Sequence, residues 1–419
     1  MTEKLLQFIW QYQYFNKTSL QVSSGEIILI KRVGELNNNQ GPDFSNAHII
    51  INDIELFGSI EVHINSSDWK KHAHSNDNNY KNVILHVVWL DDGFELNNVP
   101  LLELQSLVPK VLLNHYNLLM QNTEVIACTN FLEKINDLTW ISWKERLAVE
   151  RLIEKSGIII QTLNNNKGNW EETLWHLLAY NFGLKVNSLF FKQVADTIPI
   201  HILAKNKSNV LVLESLLLGQ ANLLNDEFEF TYPNQLKKEY QYQSKKYNLK
   251  PIAGTALFLR MRPSNFPTIR LVQLAQLVSK SNHLFSIIKE ANTISEIKKL
   301  LKVSASDYWN HHYTLKDDIS EEKAKTIGDK MTDLILINTV VPIVFAYGYF
   351  NNEEKYKKKA IDWIQEIKSE ENIIISDWKL RNIITKSAFD SQALIQLNNN
   401  YCKQKRCLDC AIGNKILRN

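Results

Sequence analysis

Seven consecutive residues, Val83-Ile84-Leu85-His86-Val87-Val88-Trp89, form an apolar run interrupted by a single histidine. A strand this uniformly apolar belongs in the middle of a sheet that is covered on both faces. The residues before it supply partners. Leu5, Phe8, Ile9 and Tyr12 fall at helical spacing and predict an opening helix. Glu26–Lys31, Ala47–Ile51 and Ile54–Ile64 are β-rich, and Asn52-Asp53 between the last two predicts a hairpin or tight pair. A polar stretch from Ser66 to about Lys81 reads as helical in its first part, and Pro100–Leu104 adds a further strand. The order is helix, three strands, helix, strand.

From about Leu138 the texture changes. Apolar residues recur at three- and four-residue steps over 140–160, 170–182, 210–223, 268–290, 294–302, 320–340, 355–368 and 380–398. No fixed repeat period appears, and the Asn-rich stretches at 37–39, 164–166 and 398–400 read as loops. The chain of 419 residues is too long for one ordinary core. An α+β fold is therefore expected, with an α/β domain at 1–130 and a helical domain at 131–419. Residues 1–100 carry 7 Lys and Arg against 12 Asp and Glu, and the remainder carries 41 against 33. Such a division suits a cation-binding module beside an anion-binding surface, and equally suits ordinary solvated faces. No run of roughly 20 apolar residues is evident, so no membrane span is expected. The opening MTEKLLQFIW lacks the pattern of a secretory signal, so a cytoplasmic location is expected.

One constellation carries chemistry. Gly41-Pro42-Asp43-Phe44 precedes Gly58-Ser59-Ile60-Glu61-Val62-His63. Strand side chains alternate, so Glu61 and His63 share a face. Neighbouring strands lie about 4.8 Å apart, which lets Asp43 and Glu61 share one cation. Carboxylate oxygens suit Mg²⁺ or Mn²⁺, which activates water and stabilises charge growing on a phosphodiester. Five of the eleven histidines lie between positions 48 and 86. Asp68, His72 and His74 either complete this site or serve structure, Asp68 as a helix cap and the imidazoles as partners of carbonyls. His86, inside the apolar strand, reads as a satisfied core histidine.

The "PD" before an acid-x-basic triplet, in that element order, resembles the PD-(D/E)xK nuclease superfamily. The resemblance implies a restriction-endonuclease-like fold, with Asp43, Glu61 and the Val62 carbonyl as metal ligands. His63 stands where the superfamily usually has lysine. Imidazole acts as base or ligand near neutral pH but lacks a permanent charge.

The four cysteines are Cys128, Cys402, Cys407 and Cys410, the last three in a C-x4-C-x2-C arrangement. In a reducing compartment, such spacing points to Zn²⁺ or an iron–sulfur cluster, with Cys128 as the fourth thiolate, and otherwise to unligated thiols. It is similar to the PD-(D/E)xK nucleases in which a distant cysteine joins a C-terminal trio around a [4Fe–4S] cluster, although the spacing differs and Cys128 follows the nuclease motif. Lys405 and Arg406 are then placed to face nucleic acid. Arg260, Arg262 and Arg270 flank Pro263-Ser264-Asn265-Phe266-Pro267 and either converge on a helix N-terminus as an anion site or belong to a rigid connector.

The whole chain also resembles an uncharacterised bacterial domain-of-unknown-function family. The segments that carry the resemblance are GPDF, GSIEVHINSSDWKKHAH, NVILHVVW, RPSNFPTIRLVQLA, INTVVPIVFAYG and DSQALIQLNNNYCKQKRCLDCAIG. Two functions stay open: a Mg²⁺- or Mn²⁺-dependent nuclease, and a non-catalytic nucleic-acid-binding protein on a degenerate nuclease fold. No Walker loop, dinucleotide glycine fingerprint or nucleophile elbow is present. Protein partners are not indicated.

Overall fold

The computed structural model describes residues 1–419 except Asn38, Ala73, Ser75, Asn76, Glu95, Asn97, Asn98, Arg260, Asn282, Asp318 and Asn419. The fold is mixed α+β. By contacts it divides into unit 1, Met1–Trp143 with Leu397–Asn419, and unit 2, Lys144–Gln396. The C-terminal cysteines, placed by the sequence pattern in the helical part, thus belong to the unit that holds the sheet.

Unit 1 opens with α1 (Glu3–Tyr12), whose buried Leu5, Leu6, Phe8, Ile9 and Trp10 give it an apolar face. The strands are β1 (Ile28–Arg32), β2 (Glu35–Leu36), β3 (Phe44–Ile51), β4 (Ile54–Asn65), β5 (Val83–Leu90) and β6 (Leu101–Glu103). They form a six-stranded sheet ordered β1-β3-β4-β5-β6, with β2 paired to β3. β1, β3 and β4 are antiparallel neighbours, while β4–β5 and β5–β6 are parallel. Asn52 and Asp53 both adopt positive φ, 45° and 68°, the conformation a two-residue hairpin turn requires. The parallel step from β4 to β5 is made by the short helix α2 (Asp68–Lys71) and a 3₁₀ turn at Asn78–Tyr80. Helix α3 (Lys110–Gln121) follows the sheet.

Two details of the sheet place the chemistry. Gly41, at φ 110°, makes a turn only glycine enters easily, and it delivers Asp43 to the start of β3. Between Phe44 and Ala47 the register slips by one residue, with Asn46 at φ 57°, so β3 bulges beside the end of β4 that carries Glu61. β5 lies inside the sheet between β4 and β6, and its Leu85, Val87 and Val88 are fully buried, as its apolar run predicts.

Unit 2 is helical, with helices including Trp170–Phe182, Leu184–Thr197, Val210–Gln220, Thr231–Tyr247 and Pro267–Lys280. One helical stretch, Asp329–Phe350, passes through a π-helical turn at Leu336–Val340. By length and composition it is long enough and apolar enough to cross a membrane, contrary to the expectation that no stretch would be. Asn338 and Thr339 interrupt the apolar run in the sequence while the helix continues through them. Most of this helix is buried inside the protein, as core helices are.

Candidate metal centre

Alternation along β4 puts Glu61 and His63 on one face, and the parallel register sets Glu61 opposite His86 of β5. Trp69 of α2 closes over this face, its ring 5.2 Å from that of His86 and 6.3 Å from that of His63. His72 caps the end of α2 and His74 follows it, so the crossover brings two more imidazoles onto the same strand face.

The contacts form one network. His63 Nδ1 and His86 Nε2 are 2.9 Å apart, and His63 Nε2 lies 3.1 Å from His72 Nδ1. Glu61 Oε1 lies 3.3 Å from both His63 Nε2 and His74 Nε2. His74 stacks on Tyr80 at 3.8 Å. Its Nε2 is shielded from water yet has no hydrogen-bond partner. Asp43 adjoins this network through the backbone: its N–H donates to Glu61 Oε2 at 3.1 Å. Its own carboxylate accepts from Gln7 Nε2 at 2.9 Å and from the Val62 N–H at 3.1 Å.

The electrostatics follow from burying like groups together. Burial, then the nearby Glu3 carboxylate, pushes Asp43 up to about 7. Burial and the neighbouring Asp43 push Glu61 up to about 9. Burial drives His63 down to about 3, reinforced by His86, His72 and His74. Burial and then His74 lower His86 to about 4, and burial and then His72 lower His74. Neutral imidazoles keep a lone pair free for a metal. Among the described residues, no Lys or Arg forms an ion pair with Asp43 or Glu61. The side chains of His63, His72 and His74 offer three ligand atoms all within 4.8 Å of one another. The Asp43 and Glu61 carboxyls, together with the imidazoles of His63, His72 and His74, are a donor set that could hold a cation.

The structure therefore gathers Asp43, Glu61, His63, His72 and His74. Asp68 stands aside: its Oδ2 accepts from the Asn65 N–H at 2.9 Å and its Oδ1 pairs with Lys71 at 2.6 Å. Burial alone would raise the Asp68 carboxyl, but those bonds outweigh it and hold it below its usual value. Val62 lies opposite Val87 in the β4–β5 ladder and donates its N–H to Asp43. His86 is fully buried, the core histidine its apolar setting suggests, and its partner is His63. Cys128, Cys402, Cys407 and Cys410 come together elsewhere in unit 1, around one cavity.

Three of the basic residues, Lys405, Arg406 and Arg270, are engaged within the protein. Lys405 Nζ donates to the Asn122 and Glu124 carbonyls at 2.7 and 2.6 Å. Arg406 pairs with Asp409 at 2.8 Å and lies over the Tyr401 ring. Arg270 is buried, giving Nη1 to Gln273 Oε1 at 2.7 Å and Nη2 to Asn265 Oδ1 at 2.5 Å. It braces the loop and faces no solvent, which favours the rigid-connector alternative for this residue. Arg262 is exposed, and Arg260 lies outside the described residues.

The family model described as "Protein of unknown function (DUF2851)" matches residues 3–373. The chain belongs to this family. The matched span takes in every residue of the Glu61–His74 centre and ends before Cys402, so the segment DSQALIQLNNNYCKQKRCLDCAIG lies beyond it. No curated protein and no solved structure matches the chain.

Proposed function

We propose that unit 1 is a metal-dependent nuclease on a restriction-endonuclease-like fold, with its ion held by Glu61, His63, His72 and His74. The observation that carries this is Glu61 Oε1, 3.3 Å from two imidazole nitrogens, one of them without a hydrogen-bond partner. The element order supports the fold: α1, then antiparallel β1, β3 and β4, then α2, then β5 parallel to β4. Three imidazoles and one carboxylate favour Mn²⁺ or Zn²⁺ over Mg²⁺, which prefers oxygen alone. The ion would supply a water of lowered pKa and a counter-charge for the phosphodiester. Asp43 holds Glu61 in place through its N–H, and His86 fixes the ring of His63. Trp69 excludes water from the inner face of the site.

The test is cleavage of plasmid DNA, single-stranded DNA and RNA by metal-stripped protein supplied with Mn²⁺, Zn²⁺ or Mg²⁺. Cleavage that requires Mn²⁺ or Zn²⁺ and disappears in folded Glu61→Gln and His72→Ala variants is expected. Full activity in both variants would overturn the assignment. One observation favours the second reading, a binding protein on a degenerate nuclease fold: both Asp43 oxygens are already committed, to Gln7 and Val62. That reading predicts salt-sensitive nucleic-acid binding without cleavage under any ion.

A further inference from the structure

The four cysteines arrive at one place from two distant parts of unit 1. Cys128 precedes the 3₁₀ turn Thr129–Lys134, Cys402 closes the π-helical turn Asn398–Cys402, and Cys410 directly precedes the helix Ala411–Arg418. None is in a disulfide. All four line a single cavity of about 20 Å³. The surrounding chain is built to hold them. A Cβ on Gly413 would lie 2.0 Å from the Cys407 carbonyl oxygen, so only glycine lets the Cys407–Cys410 loop fold back onto the helix. Lys405, at φ 52°, reaches across to the Asn122 and Glu124 carbonyls and ties this loop to the segment that carries Cys128.

The spacing of the sulfurs discriminates between occupants. Four thiolates around one Zn²⁺ sit about 2.3 Å from the metal, hence about 4 Å from one another, with no room for a water between them. Among the described residues, the metal-ligating group with ligand atoms all within 4.8 Å is the histidine trio, and the cysteines form no such group. The sulfurs thus stand farther apart than four thiolates on a single ion do, as thiolates bridged by a polynuclear core must.

We propose that Cys128, Cys402, Cys407 and Cys410 bind an iron–sulfur cluster of the [4Fe–4S] type, which pins residues 397–419 to the rest of unit 1. This is independent of the reading of the Glu61 centre. The experiment is iron, acid-labile sulfide and zinc analysis of the full chain purified without oxygen, with its visible spectrum. About four irons and four sulfides per chain and a broad visible absorbance are expected, with both lost in Cys128→Ser and in Cys407→Ser and retained in Glu61→Gln. About one zinc and no iron would overturn the proposal, as would a Cys128→Ser protein with undiminished iron. Should the cysteine variants fail to fold, thiol alkylation of the native wild-type chain decides. Protection of four thiols that is lost when a chelator removes iron supports the cluster, and thiols that react equally before and after overturn it.

Discussion

Glu61→Gln is expected to stabilise the metal-free protein at neutral pH, and the size of the gain should follow pH. The Glu61 carboxyl sits at about 9 in the folded chain against 4.5 for the free group. A group with a raised folded pKa binds its proton more tightly in the native state. Its contribution is therefore fully present below pH 4.5 and is lost as pH rises toward 9. At pH 7 the loss covers two to three units, worth about 3 kcal/mol at roughly 1.4 kcal/mol per unit. Glutamine cannot ionise in either state and so escapes that loss. It keeps an oxygen for the Asp43 N–H and offers its amide N–H to His63 or His74, which Glu61 faces at 3.3 Å. For a unit of this size, about 3 kcal/mol corresponds to a rise of roughly 6–12 °C in melting temperature. The assay is thermal unfolding of chelator-treated wild type and variant from pH 4 to pH 8.5. The variant should melt higher at pH 7, higher still at pH 8.5, and level with wild type at pH 4. With saturating Mn²⁺ or Zn²⁺ the order should reverse, because the ion stabilises the wild type more. A variant that melts lower at pH 8 without metal, or a difference that ignores pH, would refute the reasoning.

Other measurements probe the same centre and its surroundings. His86→Gln should weaken Mn²⁺ or Zn²⁺ binding about 10- to 100-fold, because the ring of His63 loses its 2.9 Å partner; calorimetric titration reads this directly. Metal uptake at pH 7 should release the Glu61 proton, which the folded metal-free chain holds there; titration in buffers of different ionisation enthalpy measures it. Arg270→Ala should cost about 2–3 kcal/mol of stability in unit 2, by leaving Asn265 and Gln273 unpaired, while nucleic-acid affinity stays unchanged. Denaturant melts and a binding titration on the same sample separate the two effects.

Much of the first unit is legible in the sequence because its signals are local. Alternation gives β4 and the shared face of Glu61 and His63, Asn52-Asp53 gives the hairpin, and the apolar run gives β5. What is not legible depends on distant partners. His86 is legible as a core residue, but its place opposite Glu61 comes from the parallel register, which joins residues 25 apart in sequence. Residues 320–328, rich in Glu, Lys and Ala, carry a helical pattern, yet the helix begins at Asp329. Lys323 N donates to the Asn310 carbonyl and Ala305 N to that of Lys325, so tertiary pairing holds this stretch extended against its local preference. The helices Lys110–Gln121, Leu184–Thr197 and Thr231–Tyr247 emerge from patterns not singled out as helical. The meeting of Cys128 with the C-terminal trio spans more than 270 residues, a separation over which spacing alone carries no information.

That return of the chain sets an order of events in synthesis. Tyr14 donates to Asn414, and His115 contacts the Ile416 carbonyl, so the chain around α1 and α3 is completed by residues made after all of unit 2. On a ribosome, α1 and the sheet emerge with one seam open, and 253 residues of helical chain must pass before residues 397–419 arrive to close it. A long intervening segment costs little at equilibrium, because closure entropy grows only with the logarithm of loop length, but it lengthens the time the seam stays exposed. A ribosome that stalls or terminates within unit 2 would therefore leave the defect behind it, in unit 1.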